Sequence, residues 1–389
     1  MKSNKSNIRK IRYVSSFSVG NLHGMINNAL LKMLIDEYDV ECYTPKSAEP
    51  ILKKGLNKDS SIRWHRLFVN NGSGHVSMLF RYLISAIYNI LILLRSKKDD
   101  IIFYNFNNVF SLSLIDRINR LAKRHIIICC HGEMEYLVNA KKHSRLYKRL
   151  MIELTCRYFN LRKIPAPGMK FIVFGDVIKN NLRPFVNKML YDCIYSIDHP
   201  VIADAGLSDK RQDDESYIVN IGLVGIINEY KGADKYPFIA ECFKDDRRLS
   251  FHAIGHFQCN PEPFVKAGII IPKNISRPLS NEAFKRAVLN LDYILFLYPP
   301  DTYRLIASGA ILDCIRFNKP VIGVRTDYFE YLFEKFGIFG YLAKDYDELI
   351  ELLRKTHQLK THFPFNEIQE KLSIIALTPR LKEIVDGCQ

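Results

Sequence analysis

The sequence has no cysteine pair with metal-ligand spacing, no Gly-x-Gly-x-x-Gly motif, and no Asp-x-Asp motif between apolar strands. The first absence argues against a zinc module, and the second excludes the common dinucleotide fingerprint. Nine cysteines are scattered along the chain. An odd, dispersed set of cysteines is typical of a reduced compartment rather than of a disulfide framework, so we expect a cytoplasmic protein.

Acidic residues are also few relative to basic ones, since 41 Asp and Glu accompany 56 Lys and Arg and leave a net charge of +15. This excess predicts an anionic partner: nucleic acid, an acidic membrane surface or a phosphorylated substrate. The basic N-terminus lacks the apolar core and the small-residue cleavage site of a signal peptide, so none is expected.

A long apolar run is missing as well. The longest tract, Tyr82 to Leu94, is shorter than the roughly 20 residues of a spanning helix. Ser85 and Asn89 interrupt it. The sequence therefore favours a buried core helix over a helix that dips into a membrane.

The length of 389 residues exceeds what one hydrophobic core usually supports, which predicts two domains. Hydrophobic residues make up 48% of the chain, which excludes predominant disorder. A polar stretch without periodicity indicates a linker at 201–216. It separates an N-terminal domain, 1–200, from a second domain, 217–370. We expect a C-terminal helix, 371–389, to pack back toward the N-terminal domain.

Short apolar strands alternate with amphipathic helices in both halves, a pattern that predicts an α/β fold. One such strand ends on His131, where open α/β sheets place their ligands, so a general base or a contact to a substrate hydroxyl is expected there, with a capping or structural histidine as the alternative. The loop after the first strand contains Gly20 and Gly24. This loop fits either close approach of a substrate to the backbone or a plain turn.

The stretch Asp292 to Val324 predicts a strand, an irregular loop, a helix and a second strand. The helix begins with small residues at Ser308, Gly309 and Ala310. A helix start with free N–H groups and no bulky side chains is an anion site, most often for phosphate, although an ordinary βαβ turn fits equally. Lys231, in a glycine-flanked loop after an earlier strand, is a candidate phosphate contact or a solvated lysine.

Basic residues are densest between Arg117 and Lys163, where they are interleaved with tyrosines. A one-signed run of this kind fits docking on an anionic bilayer surface. Nucleic acid is the alternative, but no recognised nucleic-acid motif accompanies the run.

Two motifs in the second half resemble those of the GT-B glycosyltransferases. The segment GLVGIINEYKGAD is similar to the family's glycine-ended strand with its Lys-Gly pair, and SGAILDCIRFNKPVIG resembles its donor-binding helix and following strand. The resemblance implies two facing Rossmann-like domains with a cleft between them. It also implies a nucleoside-diphosphate sugar as donor substrate, held mainly by the second domain.

The resemblance also implies roles for individual residues. Lys231 would pair with the donor diphosphate, and Ser308, Gly309 and Ala310 would cradle its distal phosphate. Asp313 and Gly225 would lie at the ribose and nucleotide. His131 would act near the sugar and the acceptor, and Gly20 and Gly24 would lie in a loop that faces the cleft.

The chain departs from the family pattern at two positions. Leu305 stands where retaining members often carry an acidic residue, and Ile226 stands where they often carry arginine. Arg304 and Tyr303 would then substitute at the diphosphate and the cleft loop, and both stereochemical outcomes stay open. Because no Asp-x-Asp motif lies between apolar strands, we expect protein cations to neutralise the leaving group, with neither metal nor cofactor.

These inferences predict a hexosyltransferase that moves sugar to a saccharide or polyprenyl-diphosphate-linked acceptor. It would serve cell-surface polysaccharide synthesis, in the cytoplasm or peripherally on the inner face of the cell membrane. The alternatives are a non-catalytic partner protein with the same fold, a nucleotide-sugar epimerase and a nucleic-acid-binding protein. Neither of the motifs quoted above is a nucleic-acid motif, so no nucleic-acid partner is expected.

Overall fold

A computed structural model describes residues 9–56, 62–72, 74–139, 145–160, 164–204, 217–273 and 279–387. The chain divides into two compact units. Unit 1 comprises Met1–Pro200, Leu305–Ala307 and Leu372–Gln389, and unit 2 comprises Val201–Arg304 and Ser308–Lys371. Residues 205–216 of the predicted linker lie outside the described residues, as do 140–144 and 161–163 of the basic stretch.

Unit 1 contains a seven-stranded parallel sheet in the order β3-β2-β1-β4-β5-β6-β7. Its strands are β1 Lys10–Val14, β2 Asp39–Pro45, β3 Arg63–Leu67, β4 Ile101–Tyr104, β5 His125–Cys129, β6 Met169–Phe174 and β7 Ile194–Ile197. Its first helices are α1 Gly24–Ile35, α2 Glu49–Lys53, α3 His75–Leu94, α4 Val109–Ala122, α5 Leu146–Phe159, α6 Asp176–Leu182 and α7 Lys188–Tyr191.

Unit 2 contains a five-stranded parallel sheet in the order β12-β11-β10-β8-β9. Its strands are β8 Val219–Ile227, β9 Leu249–Phe257, β10 Tyr293–Phe296, β11 Val321–Val324 and β12 Gly340–Ala343. Its helices are α8 Tyr236–Glu241, α9 Glu262–Lys266, α10 Asn281–Leu289, α11 Gly309–Arg316, α12 Asp327–Phe336, α13 Tyr346–Arg354 and α14 Phe365–Lys371. The last helix of the chain, α15 Ile374–Asp386, belongs to unit 1.

Each sheet is buried on both faces, as the continuous apolar runs of its strands require. In unit 1, α1 and α15 pack against one face through residues such as Leu30 and Leu381. A second apolar cluster, which includes Tyr82, Val109 and Met151, lies beneath α3, α4 and α5. Because all strands within a sheet are parallel, their carboxyl ends share one edge, where ligand-binding side chains collect.

Several predicted boundaries are wrong. Strand β8 continues past Gly225 to Ile227, because Ile226 and Ile227 remain paired with β9. The apolar run Gly268–Ile271 predicts a strand, but the structure has only one bridge there, between His252 and Ile270. Conversely, Ile194–Ile197 forms the edge strand β7, although the segment from Tyr195 onward looked like polar connection.

The helices show one confirmed prediction and two corrections. Ser280 caps α10, since its side chain accepts a hydrogen bond from the backbone of Ala283. The helical layout of 141–150 predicts that Leu146 faces inward, but Leu146 is exposed and the neighbouring Tyr147 is buried instead. Helix α3 is 20 residues long, and within the described ranges it is the one helix long and apolar enough to cross a membrane by length and composition. Its outward face is exposed, so the expectation of a buried core helix is wrong for that face.

Candidate functional site

The helix start predicted at Ser308 is present in unit 2. Helix α11 begins at Gly309, and Ser308 is its N-cap residue but makes no side-chain capping bond. At Gly309, the space that a Cβ would occupy is open. The first-turn N–H groups of a helix have no intrahelical partner, and here neither a Ser308 cap nor a Gly309 side chain covers them. The start of α11 can therefore receive an anion.

Tyr298 connects this helix start to Lys231. Its hydroxyl lies 3.0 Å from Ser308 Oγ, and the Lys231 ammonium lies 5.6 Å from the centre of its ring. Burial raises the pKa of Tyr298 far above neutrality, so the hydroxyl keeps its proton. Lys231, Tyr298 and Ser308 thus form one group, which places a cation beside an open helix start.

The loop that carries Lys231 is held rigidly. The side chain of Asn228 accepts a hydrogen bond from the backbone N–H of Lys231 at 3.2 Å. Gly232 follows with φ of 73°, and a Cβ there would lie 1.8 Å from the carbonyl oxygen of Leu297. No side chain fits at that position, so glycine is required to bring the loop against the end of β10.

Asp313 lies four residues after Gly309 and therefore on the same face of α11. Burial raises the pKa of its carboxyl to about 7, although the charges of Arg316 and Lys231 act in the opposite direction. Arg316 is itself paired with Asp204 at 2.9 Å. Asp313 is thus a carboxyl with a raised pKa on the helix face that begins at Gly309.

The remaining predicted residues of unit 2 have different surroundings. Gly225 has φ of 86° with open space where a Cβ would be, which fits close approach of a ligand to the backbone. Arg304 is ion-paired with Asp327 at 3.8 Å. Tyr303 is buried, with φ of 60°, and its ring stacks on Tyr298 at 4.3 Å. Tyr303 therefore packs against the ring of Tyr298.

In unit 1, His131 follows β5 directly and its tautomer is fixed by a backbone contact. Nε2 lies 2.8 Å from the carbonyl oxygen of Asn105. A carbonyl can only accept, so Nε2 carries the proton and Nδ1 keeps its lone pair. Burial, followed by the nearby charge of His23, lowers the pKa of His131 well below its usual value. The ring is therefore neutral at pH 7 and presents an acceptor.

Two further titratable groups surround His131. His23 lies with its ring centre 4.7 Å away, and burial lowers its pKa to about 4. The Glu133 carboxylate accepts hydrogen bonds from the His131 backbone N–H at 3.0 and 3.1 Å. Burial nevertheless raises the pKa of Glu133 to about 7. Perturbed groups gathered at the carboxyl edge of a parallel sheet are typical of functional sites.

The two predicted loop glycines are not equivalent. Gly20 has φ of 53° and open space where a Cβ would lie, and its N–H donates to Ser47 Oγ. At Gly24, a Cβ would lie 2.5 Å from Asn21 Oδ1 and 2.8 Å from a methyl of Ile51. Gly20 is therefore open to a ligand, whereas Gly24 permits tight packing at the start of α1.

Among the described residues, no group of three or more His, Cys, Asp or Glu side chains is arranged to hold a metal ion. Metal independence remains a prediction. Sequence reasoning missed Tyr298, His23 and Glu133. Tyr298 was the final residue of an apolar run, and Glu133 followed His131 by two positions, but neither signal separates a site residue from a core or capping residue.

Two parallel α/β units, with an open helix start in the second, define the GT-B fold class that the motifs predicted. Solved structures confirm this at the level of fold. No family model and no curated protein sequence matches the chain.

The similar structures span nearly the whole chain. The Anabaena protein HepE, solved in complex with UDP-glucose, has a TM-score of 0.63 at 11% identity over 97% of this chain and 100% of its own. Sucrose-phosphate synthase from Thermosynechococcus elongatus has a TM-score of 0.64 at 13% identity, over 97% of this chain and 98% of its own. WaaG, a glycosyltransferase involved in lipopolysaccharide biosynthesis, has a TM-score of 0.57 at 12% identity, over 97% of this chain and 100% of its own.

Proposed function

We propose that the chain is a glycosyltransferase that uses a nucleoside-diphosphate sugar. The observation that carries the proposal is the group formed by Lys231, Tyr298 and Ser308 at the open start of α11. Its cation and helix N–H groups suit a diphosphate that gains charge as it departs. The bond between the anomeric carbon and the diphosphate breaks with its electron pair on the diphosphate. The acceptor oxygen forms the new bond to the anomeric carbon, and its proton passes to the departing diphosphate or to solvent.

We assign the other residues to the same reaction. Asp313 and Gly225 would contact the ribose and nucleotide, while Nδ1 of His131 would accept a hydrogen bond from a substrate hydroxyl. The neutral state of His131 supports this role, since a protonated ring would offer no acceptor. No step in this scheme requires a metal.

We also propose that a saccharide or a polyprenyl-diphosphate-linked saccharide is the acceptor, with a role in cell-surface polysaccharide synthesis. The site of action would be the cytoplasmic face of an acidic membrane. The net charge of +15 supports this location, and the neighbour involved in lipopolysaccharide biosynthesis supports the substrate class.

Donor binding tests the proposal. Titration calorimetry with uridine, guanosine and adenosine diphosphates should give binding to at least one of them, and Lys231→Ala should weaken it by about tenfold or more. Lys235→Ala is the matched control, because Lys235 is exposed and pairs with Asp234. Equal affinity in wild type and Lys231→Ala, or no binding of any diphosphate, would contradict the donor site. Binding without transfer to any acceptor would instead favour the non-catalytic partner.

A further inference from the structure

Helix α3 turns its polar side chains toward the protein. Arg81, Ser85 and Asn89 are buried on its inner face. The Ser16 hydroxyl lies 2.9 Å from Ser85 Oγ and donates to Asn89 Oδ1 at 2.6 Å, and Arg81 donates to the carbonyl of Asn70. Tyr82, Ala86, Ile92 and Leu93 are buried beside them, so the inner face is mixed, whereas a soluble amphipathic helix normally keeps its polar residues outward.

The outward face of α3 is apolar along its full length. Its exposed side chains are spaced three or four residues apart and therefore form one straight stripe about 27 Å long. Each is between 37% and 69% exposed. We call this set the α3 stripe: Val76, Phe80, Leu83, Ile87, Leu91 and Leu94. From Val76 to Leu94, every exposed residue of the helix belongs to it.

Basic side chains predominate on the exposed surface of the elements that adjoin the α3 stripe. Helices α4 and α5 contact α3 and one another, so their outer surfaces continue that of α3. Over 75–123 and 145–159, only two acidic side chains are exposed, those of Asp99 and Glu153. The exposed basic side chains of the same ranges are more numerous: Arg95, Lys97, Lys98, Arg117, Arg120, Lys123, Arg145, Arg149 and Arg157.

We propose that α3 lies in the plane of an anionic phospholipid bilayer, with the α3 stripe at the boundary between headgroups and acyl chains. An apolar stripe flanked by Lys and Arg has the chemistry of an interfacial helix. The helix does not cross the bilayer, because its inner face is hydrogen-bonded within unit 1. A second copy of the chain is a poorer occupant, since a symmetric pair would bring two cationic surfaces together.

This proposal deepens the membrane location given above, but it does not need the transfer reaction. Vesicle flotation measures it without donor or acceptor. The full chain should float with phosphatidylcholine vesicles that contain about one-third phosphatidylglycerol, and should float less with pure phosphatidylcholine or at high salt. Absence of flotation with the anionic vesicles at low salt would overturn the proposal, whatever the outcome of donor titration.

Matched variants identify the surface. Phe80→Ser with Ile87→Ser should lower vesicle binding by roughly 100-fold, about tenfold for each apolar side chain lost. Phe238→Ser with Ile375→Ser is the control, because both residues are exposed on other elements and should leave binding unchanged. Lys97→Gln with Lys98→Gln should weaken binding to anionic vesicles alone. Equal flotation of the α3 stripe variant and wild type would overturn the assignment.

Depth is measured in a separate variant that keeps the face apolar. In Ile87→Trp, brominated lipids should quench the new fluorophore, whereas Trp64, the chain's only tryptophan, should be quenched far less in wild type. Two results would contradict an in-plane helix. One is a protein that resists extraction by alkaline carbonate. The other is a concentration-dependent dimer, seen by sedimentation, that Phe80→Ser with Ile87→Ser abolishes without any change in flotation.

Discussion

Single residues determine whether the Lys231 loop of the proposed phosphate site can form, and Gly232 has the strictest steric requirement among them. It combines a left-handed backbone with a carbonyl that leaves no room for a Cβ. We expect Gly232→Ala to lower the free energy of unfolding by roughly 2 kcal/mol or more, because both the backbone and the Leu297 carbonyl must shift. Chemical denaturation measures the change.

Gly309→Ala serves as the comparison, since its Cβ enters open space at a helix start. Its stability should stay within about 0.5 kcal/mol of wild type. If Gly232→Ala changed the free energy of unfolding as little as Gly309→Ala does, the close contact between the Lys231 loop and the Leu297 carbonyl would be contradicted.

The sequence predicted the candidate site residues that are neighbours along the chain, but not those brought together by a loop. Ser308, Gly309 and Ala310 are neighbours, and small residues at a helix start are visible in a short window. The contact between Tyr298 and Ser308 spans ten residues and depends on a loop in which Tyr303 has φ of 60°. No local pattern encodes such a loop, so Tyr298 could be found only in three dimensions.

At the scale of elements, α3 combines buried polar side chains with an exposed apolar stripe. Asn89→Leu should lower the free energy of unfolding by about 1–3 kcal/mol, although it adds apolar volume, because Ser16 then loses the shorter of its two buried hydrogen bonds and keeps only the contact with Ser85. Leu94→Asn, on the exposed face, should change stability by less than about 0.5 kcal/mol. Urea denaturation of the two variants in the absence of lipid provides the test.

If Leu94→Asn lowered the free energy of unfolding more than Asn89→Leu does, α3 would be an ordinary core helix. The control variant Asn89→Asp keeps an oxygen acceptor and nearly the same side-chain shape at position 89. It therefore separates the loss of the hydrogen bond from Ser16 from the change in side-chain shape. That variant should retain more of the stability than Asn89→Leu does only if the carboxylate stays hydrogen-bonded to Ser16.

Elements were predictable where an apolar run marks a strand buried on both faces, as in β5 and β10. Edge elements were not. Strand β7 consists of four residues next to a polar stretch. Its parallel pairing with β6, which begins at Phe171 and Ile194, is a long-range contact that no local pattern predicts. Exposed Leu146 shows a similar limit, since the pattern fixes the period of a helix but not which neighbour covers it.

At the scale of the whole molecule, titratable groups are distributed unequally between the units. In unit 1, burial lowers the pKa of His23 and His199 to about 4 and lowers that of His131 as well. Between pH 4 and about 6.5 the unfolded chain therefore binds more protons at these rings, so stability falls as the pH falls through this window. Glu133 has the opposite effect, since its pKa of about 7 lets the folded state hold a proton that the unfolded carboxyl releases.

Three histidines outweigh one carboxyl, so unit 1 should lose on the order of 3 kcal/mol between pH 7 and pH 5. The fluorescence of Trp64 reports on unit 1 alone, because it is the only tryptophan and lies in β3. Urea midpoints followed at the two pH values measure the loss. His199→Gln should reduce it, and an unchanged wild-type midpoint would contradict the proposed burial of the rings.

The distribution of the chain between the units has a practical consequence. The backbone passes between them at 200/201, 304/305, 307/308 and 371/372. Leu305 donates its N–H to the Glu135 carboxylate, and Tyr38 in unit 1 hydrogen-bonds Asp386 in α15. A gene fragment that stops at Pro200 would thus encode the N-terminal sheet without the tripeptide and the final helix that complete it. Separate production of this half calls for co-expression with the C-terminal segment, or for a circularly permuted gene that joins the two ends.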